Sequence, residues 1–343
     1  MSTTPFNLAI LGLGRAGNFH LQSLRQTLEA GVACVYDIDQ DRSKTMAERE
    51  NCVSAASAAE AIGRDDVQAV VVSTPTDHHF ELVQMCLDAG KPVLTEKPLG
   101  RHLHEIDDCF NKANQLKVPL FVAFQRRFDP AFSSLVKAVR QGDVGQLQFV
   151  RSVSRDNPVP SVDYIKVSGG IFHDCMVHDL DMVCHIVGET PTHLSAFGSS
   201  FIRGIGDCGD YDNVVATLAF DSGITATIDI NRKSVYGYDQ RIETFGDGGM
   251  LQADNYHNTS VSHATANGFR RPTVDYSFPS RYREAYLNEL MCFVRCARGD
   301  EPVPITHQDV RVNHLLACGL EVAARERRVI AFAEVEEIVK SDS

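Results

Sequence analysis

The sequence predicts an α/β chain in two parts: a doubly wound parallel sheet, then an α+β half built on a mostly antiparallel sheet. Three observations carry this. Short apolar runs alternate with helical periodicity over the first 125 residues, a glycine-rich turn separates the first run from the first helix, and beyond Gln146 strands are joined by tight turns. Regular alternation with short connections lays strands parallel with helices on both faces, whereas hairpin turns make neighbours antiparallel.

Leu8–Leu11 is the first strand and ends at Gly12, Gly14 and Gly17. Residues 16–28 follow with Leu21, Leu24 and Leu28 on one helical face. Val32–Tyr36 is the second strand and ends in Asp37. The continuous apolar run Val67–Val72 suits a strand buried on both faces. Thr76 or Asp77 caps the next helix, which Gly90 stops. Val93–Leu94 and Leu120–Ala123 supply further strands around a helix near Leu103–Leu116. Asp129-Pro130 then opens a helix, Asp as cap and Pro at the first position. Downstream, Asp221-Ser222-Gly223 joins the strands Val214–Phe220 and Ile224–Ile230, and Gly246–Gly249 turns another pair. Helices are expected at Gly170–Val187, Tyr282–Arg298 and Thr306–Arg325.

A chain of 343 residues is comfortable for two domains, and the change of pattern divides it into residues 1–125 and 126–343. Apolar residues make up 43% of the chain and charged ones 23%, enough to bury two cores. The net charge of −12, with only short basic clusters, opposes a nucleic-acid partner, whose phosphates need Lys and Arg. It fits a small neutral substrate better. No apolar run reaches the ~20 residues needed to span a bilayer, and the N-terminus runs into a strand without a basic segment, which points to the cytoplasm. The ten cysteines then read as free thiols of a reducing compartment. No CxxC pair or HExxH occurs, and Cys292 and Cys296 read as core residues without partner ligands nearby, so no metal is implied.

Gly12-x-Gly14-x-x-Gly17 alone is a weak motif, but here it follows a strand and opens a helix. Gly12 permits the tight turn, Gly14 lets the backbone approach a pyrophosphate, and Gly17 lets the helix pack closely against the strand. The helix start offers N–H donors and a positive dipole end to that anion. Asp37, twenty residues beyond Gly17 at the end of the second strand, is placed to accept hydrogen bonds from the adenosine ribose. Its charge repels a 2′-phosphate, so NAD is expected rather than NADP.

Lys97, in Thr95-Glu96-Lys97-Pro98, follows a strand of the first domain, where ligands of doubly wound sheets bind. Its charge there either orients a substrate hydroxyl or simply decorates a surface turn. Asp174-x-x-x-His178-x-x-Asp181 lies in an otherwise apolar segment, and that spacing puts the three on one helical face. His beside a carboxylate makes a general base; a satisfied polar seam is the alternative. Tyr236-Gly237-Tyr238 lines a polyol site or packs at a strand end. Arg127, in Arg126-Arg127-Phe128-Asp129, holds the cofactor or pairs with acids across the domain interface. His78, His79, His102 and His104 lack ligand spacing and read as surface or capping residues.

Together, GLGRAG between strand and helix, STPTDHH at 73–79, EKP at 96–98 and a helix with Asp-x-x-x-His resemble the Gfo/Idh/MocA oxidoreductase family over essentially the whole chain. The resemblance implies a Rossmann-like first domain and a second domain whose large open sheet makes a dimer or tetramer of identical chains. It implies a catalytic set of Lys97, Asp174 and His178, and NAD contacts from Arg15, Ala16, Ser73, Thr74, Pro75, His78, Glu96, Lys97 and Arg127 beside Gly12, Gly14, Gly17 and Asp37. Within the family, GGIFHDCMVHDLDM, QRRFD, Asn157-Pro158 and YGYD are most similar to inositol 2-dehydrogenases. By that analogy Lys97, Asn157, Asp174, His178 and Tyr236 meet a neutral polyol, and His178 takes a hydroxyl proton as hydride leaves for the nicotinamide. An enzyme of a pyranose sugar and a non-catalytic dinucleotide-binding regulator are the other readings the family admits.

Overall fold

The computed structural model describes residues 5–341. The chain divides into two compact units. The first holds the chain up to Phe128 together with Arg283–Arg311; the second holds Asp129–Tyr282 and the chain from Val312 onward.

The first unit contains strands β1 (Phe6–Leu11), β2 (Ala30–Tyr36), β3 (Val53–Ser54), β4 (Ala69–Val72), β5 (Val93–Thr95) and β6 (Leu120–Val122). They form one sheet in the order β3-β2-β1-β4-β5-β6, every pair parallel. This is the order of a dinucleotide-binding sheet, in which the chain reverses direction between β1 and β4 and opens a crevice at their carboxyl ends. Strand β4 is buried at all four positions, as its unbroken apolar run requires.

The first helix, Arg15–Leu24, is shorter than its apolar spacing predicts. Leu28 lies beyond it in the turn to β2 and is 92% exposed. Beyond β2, the helix Gln40–Glu50, strand β3 and the helix Ala58–Gly63 have no counterpart in the sequence reading. The helix Arg283–Arg298, assigned by sequence to the second domain, packs on the first unit instead. Its Leu290, Phe293 and Val294 join the core of the parallel sheet, and the Phe293 ring meets Phe121 edge-on with centroids 5.9 Å apart. The expected single boundary at Gln125 is therefore incomplete, because the chain leaves this unit at Phe128 and returns to it.

In the second unit, β7 (Leu147–Arg155), β8 (His193–Ser199), β9 (Asn213–Ala219), β10 (Thr225–Asn231), β11 (Asp239–Gly246), β12 (Gly249–Ala253) and β15 (Ile330–Ala331) form a sheet in the order β12-β11-β7-β10-β9-β8-β15. Only β7 and β10 run parallel. A separate hairpin pairs β13 (His263–Thr265) with β14 (Gly268–Arg270). The hairpins predicted at Asp221-Ser222-Gly223 and Gly246–Gly249 are both present. As predicted, Asp129 caps the helix Pro130–Gln141, accepting from Ala131 and Phe132 N–H. One face of the large sheet is buried; the other exposes Phe197, Val215, Phe245 and Met250. No described helix is long and apolar enough to cross a membrane. All ten cysteines are free thiols.

Candidate functional site

In the first unit, the glycine turn is built as the motif requires. Gly12 has φ +88°, and a Cβ on it would lie 2.6 Å from the Thr74 backbone nitrogen. A Cβ on Gly17 would lie 2.0 Å from the Gly12 carbonyl oxygen, so the helix packs against the turn as closely as backbone allows. Gly14 differs: a Cβ there would meet nothing within 4 Å. Its missing side chain leaves open space at a helix start that no side chain caps, the setting for an anionic group bound by Arg15, Ala16 and Gly17 N–H. Gly12→Ala would combine a strained positive φ with a backbone clash. It should cost more than about 1 kcal/mol in stability and weaken NAD binding, read by thermal unfolding with and without cofactor.

Asp37 is 5% exposed, and its carboxylate accepts the N–H groups of Leu13 at 2.7 Å and Asp39 at 2.9 Å. It thus ties the glycine turn to the end of β2. Arg42 lies 3.3 Å from both carboxylate oxygens. In Asp37→Ser the negative charge goes and Arg42 is released toward a 2′-phosphate. The NADP-to-NAD ratio of kcat/KM should rise about ten- to a hundredfold, the worth of a charge-assisted hydrogen bond. An unmodified protein that already prefers NADP would contradict this account of Asp37.

The remaining cofactor candidates separate. Thr74 Oγ1 is buried without a hydrogen-bond partner, a group available to a ligand. Pro75 and His78 are exposed. Ser73 instead spends its hydroxyl on the Gly12 and Leu11 carbonyls at 2.8 and 3.1 Å, holding the turn rather than facing a ligand. Glu96 meets His20 Nε2 at 2.9 Å, and His20 is fully buried. Burial pushes the Glu96 carboxyl up, but His20, Lys97 and His79 more than reverse this and hold it below the ordinary range. Its contribution to stability is present above the ordinary carboxylate pKa and is lost as pH falls through the lowered one. Arg127 pairs with Asp309 at 3.3 Å and reaches the Pro304 carbonyl, both within the same unit.

His79 corrects the surface reading of its motif. It is 1% exposed, with ring nitrogens 2.7 Å from the Pro98 carbonyl and 2.8 Å from the Thr74 carbonyl. Burial holds its pKa below the ordinary histidine value, against the pull of both carbonyls. The imidazole therefore ties the loop after β4 to the loop carrying Lys97, whose bond to Pro98 is cis.

In the second unit, Asp174 lies in a π-helical turn, Phe172–Met176, and His178 in the α-helix Val177–Val187 that continues it. The expected uninterrupted α-helix is thus broken by a wide turn at the polar residues, a feature frequent at functional sites. Asp174 accepts from the Tyr164 hydroxyl at 2.7 Å and from Arg232 at 3.1 Å. His178 is half-buried. Asp181 is 3% exposed. Asp179, unremarked in the sequence, is fully buried and accepts from Ser152 and Ser154, both at 2.6 Å, fastening this helix to β7.

Arg232 is the residue the sequence hides. It follows β10, is fully buried, and pairs with Asp174 and, at 3.2 Å, with Asp210. Burial works against its charge, but Cys175, Asp174 and Asp210 raise its pKa above the ordinary arginine value. Asp210 in turn accepts the Ile171 N–H at 3.0 Å, at the start of the π turn. Because β7 and β10 run parallel, Asp156 and Asn157 emerge beside Arg232: Asp156 N–H donates to Asn231, and Cys175 lies 3.3 Å from the Asp156 carboxylate. Asn157 donates to the Tyr276 carbonyl at 2.7 Å. Tyr236 is 51% exposed, and its hydroxyl donates to Asp239 at 2.7 Å.

Residues 6–124 match the model of an oxidoreductase family with an NAD-binding Rossmann fold, and residues 132–252 match the GFO/IDH/MocA C-terminal domain. The chain is 38% identical to myo-inositol 2-dehydrogenase of Thermotoga maritima, over 96% of this chain and 99% of that protein. It is 36% identical to inositol 2-dehydrogenase of Rhizobium meliloti, over 93% and 97%. The crystal structure of a myo-inositol dehydrogenase from Corynebacterium glutamicum superimposes with a TM-score of 0.90 at 31% identity, over 95% of this chain and 98% of that one. With its parallel β3-β2-β1-β4-β5-β6 sheet, its glycine turn and these matches, the chain belongs to the Gfo/Idh/MocA oxidoreductase family and is an NAD-dependent oxidoreductase.

Proposed function

We propose that this enzyme oxidises a secondary hydroxyl of a cyclitol, with myo-inositol giving the 2-keto product (scyllo-inosose). The observation that carries the substrate class is the near full-length similarity to two proteins named inositol 2-dehydrogenases. The chemistry of the second unit supports it. Asp174 and Asn157 offer polar groups for a rim of hydroxyls, while Arg232, a natural clamp for a phosphate or carboxylate, is engaged by Asp174 and Asp210.

Lys97, Asp174 and His178 are the proposed catalytic residues. His178 accepts the proton of the reacting hydroxyl. Asp174, fixed by Tyr164 and Arg232, holds the imidazole or a neighbouring hydroxyl. Lys97 binds the reacting oxygen and stabilises its developing negative charge. Bound NAD⁺ supplies the hydride acceptor, held by Gly12, Gly14, Gly17, Asp37 and Thr74. The exposed apolar face with Phe197, Val215, Phe245 and Met250 is the proposed contact with a second copy of the chain.

Each misplaced hydroxyl leaves a buried polar group unpaired at about 1–3 kcal/mol, so stereoisomers should differ about ten- to a hundredfold in kcat/KM. With NAD⁺, myo-inositol is expected to exceed glucose, galactose and xylose. A preference for a pyranose or a phosphorylated sugar would remove the cyclitol assignment. Cofactor binding with no turnover of any polyol would instead identify a regulator.

A further inference from the structure

Beginning at His173, the chain neighbour of Asp174 in the π turn, the second unit gathers a different set of side chains. His314, Cys318 and Glu321 are spaced i, i+4 and i+7 along the helix His307–Glu326, which places them on one face. His173, in the π turn, meets that face. The ligand atoms of His173, His314 and Cys318 lie within 4.8 Å of one another. His314 Nε2 is 3.7 Å from the Cys318 sulfur, and His173 Nε2 is 3.2 Å from Glu321 Oε2.

We propose that His173, His314 and Cys318 form a site for one zinc-class divalent cation, with Glu321 holding the His173 ring, seated against the turn that carries Asp174. The donor set is one thiolate and two imidazoles, which selects zinc over magnesium or calcium and leaves a fourth position for water. Around a tetrahedral zinc the N···S edge is about 3.5 Å, given the usual bond lengths, and the His314–Cys318 separation of 3.7 Å lies close to it. Two of the three ligands sit on one helix and the third adjoins Asp174, so the ion would clamp the π turn to that helix.

The first unit holds a second cluster, Cys292, Cys296 and Glu301, so Glu301 does stand near the two cysteines read as lacking partner ligands. It lacks imidazoles and serves as the internal control. The full-length protein, stripped with chelator, is titrated with Co²⁺ and with Zn²⁺. One Co²⁺ per chain should bind with a thiolate-to-cobalt charge-transfer band, and Zn²⁺ should displace it and raise the unfolding temperature. Cys318→Ser should abolish the band and His314→Gln should weaken metal binding at least tenfold, whereas Cys292→Ser with Cys296→Ser should leave both unchanged. If Cys318→Ser does not fold, the His314→Gln titration alone decides. Absence of stoichiometric metal, a band that survives Cys318→Ser, or one lost with Cys292 and Cys296 would overturn the site, leaving a His–Glu–Cys polar cluster only.

Discussion

His178→Ala should reduce kcat by about 10²–10⁴-fold, the usual loss of a positioned general base, while NAD binding stays near normal. The glycine turn, Asp37 and Thr74 belong to the first unit and His178 to the second, so the substitution removes no residue of the proposed cofactor site. Lys97→Ala should fall in the same range. If the two residues work on one reacting oxygen, the double variant will be far less damaged than the product of the single effects. Near-normal kcat in His178→Ala removes it from the proposed chemistry.

The second large effect belongs to Arg232. Arg232→Met leaves Asp174 and Asp210 without their cation in a place where Arg232 itself is fully buried. Breaking a buried pair on one side typically costs about 3–5 kcal/mol, which lowers the unfolding temperature by roughly 6–20 °C for a unit of this size. Loss of fold is only part of the expectation. Below the unfolding transition, Asp174 keeps Tyr164 but loses its second anchor, so kcat should fall about ten- to a hundredfold through mispositioning. Adding Asp210→Asn should recover part of the stability, since it removes one stranded charge, without restoring kcat. Full recovery of both would make Arg232 a purely structural residue.

The parts that sequence alone revealed are those where local chemistry is decisive. A glycine at φ +88° between strand and helix, an Asp-Pro helix start and a three-residue hairpin turn each state their conformation in adjacent residues. What stayed hidden depends on distant partners. Strand β3 is two residues long and too short for an apolar period. The helix Arg283–Arg298 shows an ordinary amphipathic pattern, and nothing in that pattern says that Phe293 will meet Phe121. The π turn looks like α-helix in sequence because its apolar residues keep similar spacing. Arg232, His79 and His20 read as unremarkable because their significance is burial beside a carboxylate or carbonyl many residues away. Buried charge was the missing signal. An arginine directly after a strand that pairs in parallel with β7 becomes visible only once the sheet order is known.

Loss of a hydride and a proton from one secondary alcohol of a cyclitol can be read with myo-inositol deuterated at C2, incubated with NAD⁺ and the full-length protein. One deuterium in each reduced cofactor is expected, with an equal amount of 2-keto product, and slower turnover than with unlabelled substrate when the chemical step limits the rate. Reduced cofactor formed without deuterium, or no reduction at all while glucose or xylose is oxidised readily, would contradict it.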